Sequence, residues 1–276
     1  MKGLHTFVIC AYKESPYLEE CIRSLKDQTV ESNIKLATST PNEYLQKLCE
    51  QYAIPYYVRE GKSNISLDWE FALSVADTDY VTIAHQDDVY EEEYVERVVE
   101  AIEYAEKQMH QQPLILFSDY RELIGGEKFA NRTNLKIKRI LLHPLKKGKR
   151  QNRVFWKRWV LRWGNAICCP TVTYHMSLIR QYMGRDARKV LFQKHFRSNV
   201  DWETWEWLSR KEGSFVYIPH LLMAHRIHEG SETTATIEDR QRGGEDYEMF
   251  CKFWPRWIAR CLTGAYSESE KGNIVN

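Results

Sequence analysis

The sequence predicts an α/β fold built on a mostly parallel sheet with helices on both faces, and three observations carry that reading. Short apolar runs with a β-branched bias recur through the first 120 residues, and each is followed by apolar residues at helical spacing. The runs are continuous rather than alternating, as expected of strands covered on both faces. The β-α-β-α-β-α-β order that results calls for right-handed crossovers between parallel strands.

The elements follow in order. Thr6 to Ala11 is the first strand and ends in Tyr12-Lys13-Glu14-Ser15-Pro16. Ser15 before Pro16 predicts a helix cap and first helical residue, with Leu18, Cys21, Ile22 and Leu25 on the buried face behind them. Ile34 to Thr38 is a second strand, and Ser39-Thr40-Pro41-Asn42 opens a helix carrying Leu45, Leu48 and Cys49. Pro55 to Val58 is a third strand. The loop Arg59 to Asn64 leads from it into a helix from about Ser66 that turns Leu67, Phe71, Leu73 and Val75 to the sheet. No glycine-rich loop follows the first strand, which excludes both the P-loop and the dinucleotide fingerprint.

The stretch Asp79 to Tyr90, DYVTIAHQDDVY, is the centre of the pattern. A buried strand, Tyr80 to Ala84, breaks directly into His85-Gln86-Asp87-Asp88. Two adjacent carboxylates at the end of a buried strand are costly unless they are solvated, paired or on a cation. Ligands of open α/β sheets gather at the carboxyl ends of strands, and hard cations take carboxylates together with substrate phosphates. A metal–phosphate site and an acidic turn capping the next helix both fit these residues.

Glu91 to Gln108 reads as a helix with Tyr94, Val95, Val98, Val99 and Ile102 on one face. Pro113 to Tyr120 reads as a strand ending at Asp119. From Lys136 to Arg162 there is no Asp or Glu, and eleven Lys and Arg are interleaved with Ile, Leu, Val, Phe and Trp. Such a basic amphipathic segment has the composition of a membrane-surface helix; a helix packed on its own domain is the alternative, and no nucleic-acid-binding motif accompanies the charges. Asn199 to Leu208 is a Trp-rich helix, Phe215 to Pro219 a strand, and Tyr247, Phe250, Phe253, Trp254 and Trp257 a closing helix, with a polar tail expected after Thr263.

Composition bounds the class. The chain has 276 residues, 43% hydrophobic and 28% charged, with net charge +1, the profile of a globular enzyme-sized protein. No apolar run reaches the roughly 18 residues of a membrane span, and the N-terminus runs straight into a strand, without a leader pattern. Seven Cys without metal-ligand spacing read as reduced thiols. The expected location is the cytoplasm, with peripheral attachment at the inner face of the membrane if residues 136–163 meet lipid.

In this order the parts resemble a family. Ile9-Cys10-Ala11-Tyr12-Lys13-Glu14 is similar to the "P-A-Y-N-E" opening of the family-2 glycosyltransferases of the GT-A fold. Leu18, Cys21, Ile22, Ser24, Leu25 and Gln28 match the helix that follows it, and His85-Gln86-Asp87-Asp88 stands where that family has D-x-D-D. Val200-Asp201-Trp202 resembles the family's "E-D-Y", and His225-Arg226-Ile227-His228-Glu229-Gly230-Ser231 its "Y-R-x-H-x-G-S". The chain departs from the pattern at His85, at Thr38-Ser39-Thr40-Pro41 in place of "D-D-G-S", and at Asp68-Trp69-Glu70 in place of "A-R-N".

The resemblance implies a GT-A domain over residues 1–235 and a C-terminal helical extension over 236–276. Within the domain, 1–120 is the nucleotide-sugar half, and 121–235 the acceptor half with its basic insertion at 136–163. It implies a nucleoside-diphosphate sugar donor, most simply a UDP-sugar, lined by Ala11, Tyr12, Glu14, Thr38, Lys62 and Gln86. It further implies Mn²⁺ or Mg²⁺ held by Asp87, Asp88 and His228. Asp201 becomes the catalytic base, inverting the anomeric centre as the sugar passes to a glycan or lipid-linked acceptor, with Asp119 supporting the acceptor side. A nucleotidyltransferase and a non-catalytic scaffold of the same fold are the rival readings.

Overall fold

The computed structural model describes residues 3–228 and 242–271. Nine strands form a single sheet in the order β3-β2-β1-β4-β8-β6-β9-β5, with β7 paired to the end of β6. The first half is the predicted parallel unit: β1 (His5–Ala11), β2 (Asn33–Thr38), β3 (Tyr56–Val58) and β4 (Tyr80–His85). β1 lies between β2 and β4, parallel to both. The crossovers are α1 (Leu18–Lys26), α2 (Glu43–Gln51) and α3 (Ile65–Ser74). Asn42 and Asn64 cap α2 and α3 by accepting the N–H groups of Leu45 and Leu67.

Past β4 the sheet becomes mixed. A two-residue strand, β5 (Val89–Tyr90), precedes α4 (Tyr94–Glu103), whose buried face is the expected one and whose end widens into a π-turn at Tyr104–Gln108. β6 (Pro113–Ile124) runs past the expected Tyr120 and hairpins into β7 (Glu127–Phe129). The basic segment is not one helix. It breaks into α5 (Thr133–Leu142), a 3₁₀ turn at His143–Lys146, α6 (Gly148–Gln151) and α7 (Val154–Leu161), because Pro144 and Gly148 interrupt the helical ladder. β8 (Val172–His175) then enters antiparallel between β4 and β6. α8 (Met176–Arg185) and α9 (Val200–Ser209) lead to β9 (Ser214–Arg226), which is far longer than the five residues expected of it and parallel to β6. α10 (Arg242–Cys251) and α11 (Arg256–Lys271) follow, so residues 264–271 are helical rather than the expected tail.

Two apolar layers sandwich the sheet. One packs α1, α2 and α4 on Phe7, Ile9, Leu36 and Ala84; the other packs α3, α7, α8, α9 and the C-terminal pair around Val8, Ile83, Trp202, Trp205 and Phe250. Within α3 the buried face is Ser66, Trp69, Ala72 and Leu73, rather than the face through Leu67 and Phe71. Trp69 is the reason: its ring fits edge-on to Phe192 at 5.2 Å and stacks on His85 at 5.6 Å.

Candidate active site

The strand order reverses direction between β1 and β4, so the segments leaving their carboxyl ends lead to opposite sides, the position where open α/β sheets bind ligands in a crevice. The Gln86 side chain bridges this crevice by copying a strand pairing. Its Oε1 accepts the Tyr12 N–H and its Nε2 donates to the Tyr12 carbonyl, both at 3.0 Å. Ala11 is buried in register with Thr38, and Thr38 Oγ1 accepts the Thr40 N–H at 3.0 Å. Lys13 is held at φ 54° with its N–H donated to Thr40 Oγ1 at 2.6 Å. An open depression beside these groups is lined by Lys13, Glu14, Thr40, Pro41 and Asn42. Of the residues expected at the nucleotide, Ala11, Tyr12, Thr38, Gln86 and Glu14 therefore share one end of the sheet. Lys62 is exposed on the loop after β3.

That loop is built by one of the departures from the family pattern. Asp68 Oδ1 accepts both Nε and a terminal nitrogen of Arg59, at 2.9 and 2.7 Å, and Oδ2 accepts Ser63 Oγ and the Asn64 N–H. The Arg59 N–H in turn donates to the Thr38 carbonyl at 2.8 Å, tying the loop to β2. Glu70 accepts the Phe192 N–H at 2.6 Å.

Asp87 and Asp88 differ in their surroundings although they are neighbours in sequence. Asp87 is partly exposed; its Oδ1 accepts Ser15 Oγ, and its Oδ2 lies 3.2 Å from His228 Nε2. Asp88 is 1% exposed. Its Oδ1 accepts the Arg226 N–H at 2.9 Å and faces His225 Nδ1 at 3.0 Å, while Oδ2 accepts no hydrogen bond among the described residues. Burial pushes the Asp88 carboxyl up, but His225, His85 and the Arg226 N–H outweigh burial and hold it below the ordinary carboxylate value. Burial likewise opposes charge on His225, and Asp88 more than reverses this, so its imidazole titrates above the ordinary value. His85 goes the other way, lowered chiefly by burial.

The pairing of β5 with β9 explains how distant residues reach this motif. Val89 is opposite Ala224, which delivers His225, Arg226 and His228 to the turn after β4. Arg226 donates from Nε to the Asp87 carbonyl at 2.8 Å, pairs with Glu20 and lies over Tyr17, whose ring is 5.1 Å from that of His228. Glu229, Gly230 and Ser231 of the same motif lie outside the described residues.

Asp201 occupies the first turn of α9. Its Oδ1 accepts the Trp202 N–H at 2.7 Å, and its Oδ2 accepts Asn165 Nδ2 at 2.6 Å. Oδ1 of Asn165 is buried without a hydrogen-bond partner among the described residues. The thiols of Cys168 and Cys169, raised first by burial, are also raised by the charges of both Asp88 and Asp201. The 168–169 segment thus lies within reach of both the motif after β4 and the start of α9. Asp119 accepts Tyr217 Oη at 2.7 Å and lies 3.5 Å from Arg139 Nε, lining a small cavity with Tyr120 and Ala166.

Three contributors escaped the sequence reading. Ser15 is not the cap of α1, which starts two residues past Pro16 without a side-chain cap; its hydroxyl donates to Asp87 instead. Arg226 sits inside a quoted motif and Asn165 just past the basic stretch, but their partners are 139 and 36 residues away, and no local pattern reports such contacts.

The sheet order, with a crevice at the carboxyl ends of its parallel strands, is that of a GT-A-type fold. The family model described as "Glycosyl transferase family 2" matches residues 6–167, more than half of the chain. The chain belongs to that family and is a glycosyltransferase. Solved structures share its fold. TarS 1-349 of S. aureus in complex with UDP-GlcNAc superposes with a TM-score of 0.61 at 14% identity, covering 95% of this chain and 70% of that one. The mannosyltransferase PcManGT of Pyrobaculum calidifontis, in complex with GDP-Man and Mn²⁺, gives 0.60 at 11% identity, covering 100% and 77%. A longer TarS structure is matched over only 42% of its length. No curated protein sequence matches the chain.

Proposed function

We propose that the protein transfers a sugar from a nucleoside-diphosphate sugar to an acceptor hydroxyl with inversion, in the cytoplasm, as a step of surface-polysaccharide or glycolipid synthesis. The observation that carries the reading is the pair Asp87–His228, partly exposed and facing each other across 3.2 Å at the strand-end crevice. Structural neighbours bind UDP-GlcNAc and GDP-Man, which supports a nucleotide-sugar donor; a UDP-sugar is our choice.

One carboxylate and one imidazole are an incomplete shell for a divalent cation. Among the described residues, no group of three or more His, Cys, Asp or Glu side chains is arranged to hold a metal. Such a partial set fits a cation whose remaining ligands are donor phosphates and water, the usual arrangement for Mg²⁺ and similar ions. Asp87 and His228 would hold Mn²⁺ or Mg²⁺, which supplies charge stabilisation to the departing diphosphate. Asp88 acts from behind, its buried carboxylate fixing Arg226 and His225 and so the end of β9 that presents His228. Ser15 orients Asp87 through its hydroxyl.

On the acceptor side, Asp201 takes the proton of the attacking hydroxyl, and Asn165 and the Trp202 N–H fix the plane of its carboxylate. A single base facing the leaving group gives one displacement and hence inversion. Tyr12, Gln86, Thr38, Glu14 and Lys62 surround the nucleotide.

A thermal-shift series of nucleoside diphosphates with and without Mn²⁺ tests this reading, since a ligand of the native state raises the melting temperature by mass action. We expect one diphosphate to shift the transition only with metal, and the shift to vanish in Asp87→Ala. No shift with any nucleotide would instead favour a non-catalytic scaffold of this fold.

A further inference from the structure

The transfer chemistry leaves the stretch from Thr133 to Trp163 unused, and this stretch exposes two kinds of side chain. The first is bulky and apolar. On α5, Ile137 and Ile140 lie one turn apart and are 48% and 71% exposed; at the start of α7, Val154 and Phe155 are 44% and 61% exposed. The second kind is cationic. Lys136, Lys146, Lys147, Lys149 and Arg153 are exposed and form no ion pair with any described residue. Other cations of the stretch serve inside the fold: Lys138 donates to Tyr120 Oη, Lys157 to the carbonyls of Lys211 and Gly213, and Arg158 to Glu206.

The aromatic rings of this region form a row. Phe155 contacts Trp156 at 5.1 Å and Trp159 at 5.8 Å; Trp159 contacts Trp163 at 6.1 Å, and Trp163 contacts Trp254 at 4.9 Å. Guanidinium groups cover it, Arg150 over Trp156 at 4.1 Å and Arg162 over Trp254 at 3.6 Å. Three residues beyond Trp254, Trp257 stands 71% exposed.

We propose that residues 136–163, with Trp257, dock on the headgroup region of an anionic bilayer. Isolated exposed apolar residues are ordinary on a globular surface, but here they stand among five unpaired cations in a stretch with no acid from 136 to 162. A protein partner is disfavoured, because protein interfaces are depleted in Lys. A nucleic acid would use the cations and gain nothing from Ile140 and Phe155. The headgroup zone rewards all three kinds at once: indole rings at the interface, aliphatic and phenyl groups below it, and Lys and Arg against anionic lipid. Trp163 leads through Gly164 into Asn165, which touches Asp201. Docking would therefore bring the acceptor side of the enzyme near the bilayer surface, whichever donor it uses.

The full chain is tested by cosedimentation with vesicles of phosphatidylcholine alone and of phosphatidylcholine mixed with phosphatidylglycerol. We expect binding to the mixed vesicles, weakened by salt, and little to the neutral ones. At about fivefold per charge, the combined Lys146→Ala, Lys147→Ala, Lys149→Ala variant should bind about a hundredfold more weakly. Ile140→Ser with Phe155→Ser should also weaken binding, while both variants keep the wild-type circular dichroism and melting temperature. Failure of the wild type to bind the mixed vesicles, or unchanged binding by the lysine variant, overturns the proposal. So does a Phe155-dependent dimer in sedimentation velocity, or tighter binding to duplex DNA than to the vesicles.

Discussion

Asp87 and Asp201, the metal ligand and the base of the proposed function, are positioned by different routes. Asp87 follows β4, whose residues Tyr80 to Ala84 are all buried and whose neighbours β1 and β8 fix its direction. Asp201 lies in the first turn of α9, a helix anchored by the buried rings of Trp202 and Trp205, and is oriented by an amide from a separate segment. On the donor side, position follows from where a buried strand ends. For Asp201 it follows from helix packing and from hydrogen bonds that include one from a separate segment, so this is where small changes should misplace the proposed base.

The largest effect expected from this comparison is at Asp201 itself. Asp201→Asn keeps the side-chain shape and the Trp202 contact but removes the base, and should lower kcat by roughly 10² to 10⁴-fold with nucleotide binding intact. Near-wild-type turnover in that variant would take the base assignment away from Asp201.

Asn165→Ala should have a smaller effect, a fall of up to about a hundredfold in kcat with little change in donor KM, since it frees the Asp201 carboxylate to rotate. The Asn165 amide keeps Nδ2 on Asp201 while its own Oδ1 is buried without a partner, an arrangement that costs about 1 to 3 kcal/mol. Removing that buried carbonyl should leave the melting temperature close to wild type. An Asn165→Ala enzyme with unchanged kcat would show that the Asn165 amide does not position the base.

The smallest expected effect is on stability and falls in the donor half. Burial pushes the His5 imidazole down to about 3, with its ring nitrogens bonded to Ser32 Oγ and Thr82 Oγ1. Unfolded, the same group protonates near 6.5, so below that pH the unfolded chain binds one proton more than the folded one. The stability contributed by neutral His5 is complete above about pH 6.5. It falls by about 1.4 kcal/mol per unit as pH drops toward 3. Urea titrations from about pH 7 to about pH 5 should show that slope in the wild type, and a slope shallower by one proton in His5→Gln.

Most of the donor half was legible because its signals are local. Continuous apolar runs marked β1 to β4, and the order of the helices between them fixed a parallel arrangement. The His85–Asp88 motif was visible as carboxylates following a buried strand. The face of α3 was misjudged because Trp69 packs against Phe192, 123 residues later, and not against its own helix neighbours. Ser15 was read as a cap because Ser before Pro is a local pattern; its hydroxyl does accept the Tyr17 N–H at 3.3 Å, but it donates to Asp87, 72 residues away.

By itself the sequence determined the α/β class, the family, and the segments that carry Asp87, Asp201 and His228, since each depends on short-range periodicity or contiguous motifs. Tertiary structure alone decided that β9 extends to Arg226 and pairs with β5, that Asp88 is buried on His225 while Asp87 stays open, and that Asn165 meets Asp201. It also decided which of the eleven cations from Lys136 to Arg162 are used inside the fold and which are left on its surface. The physical reason is the same in each case: a side chain's partner across the sheet is set by strand register and helix packing, and these are properties of the whole chain.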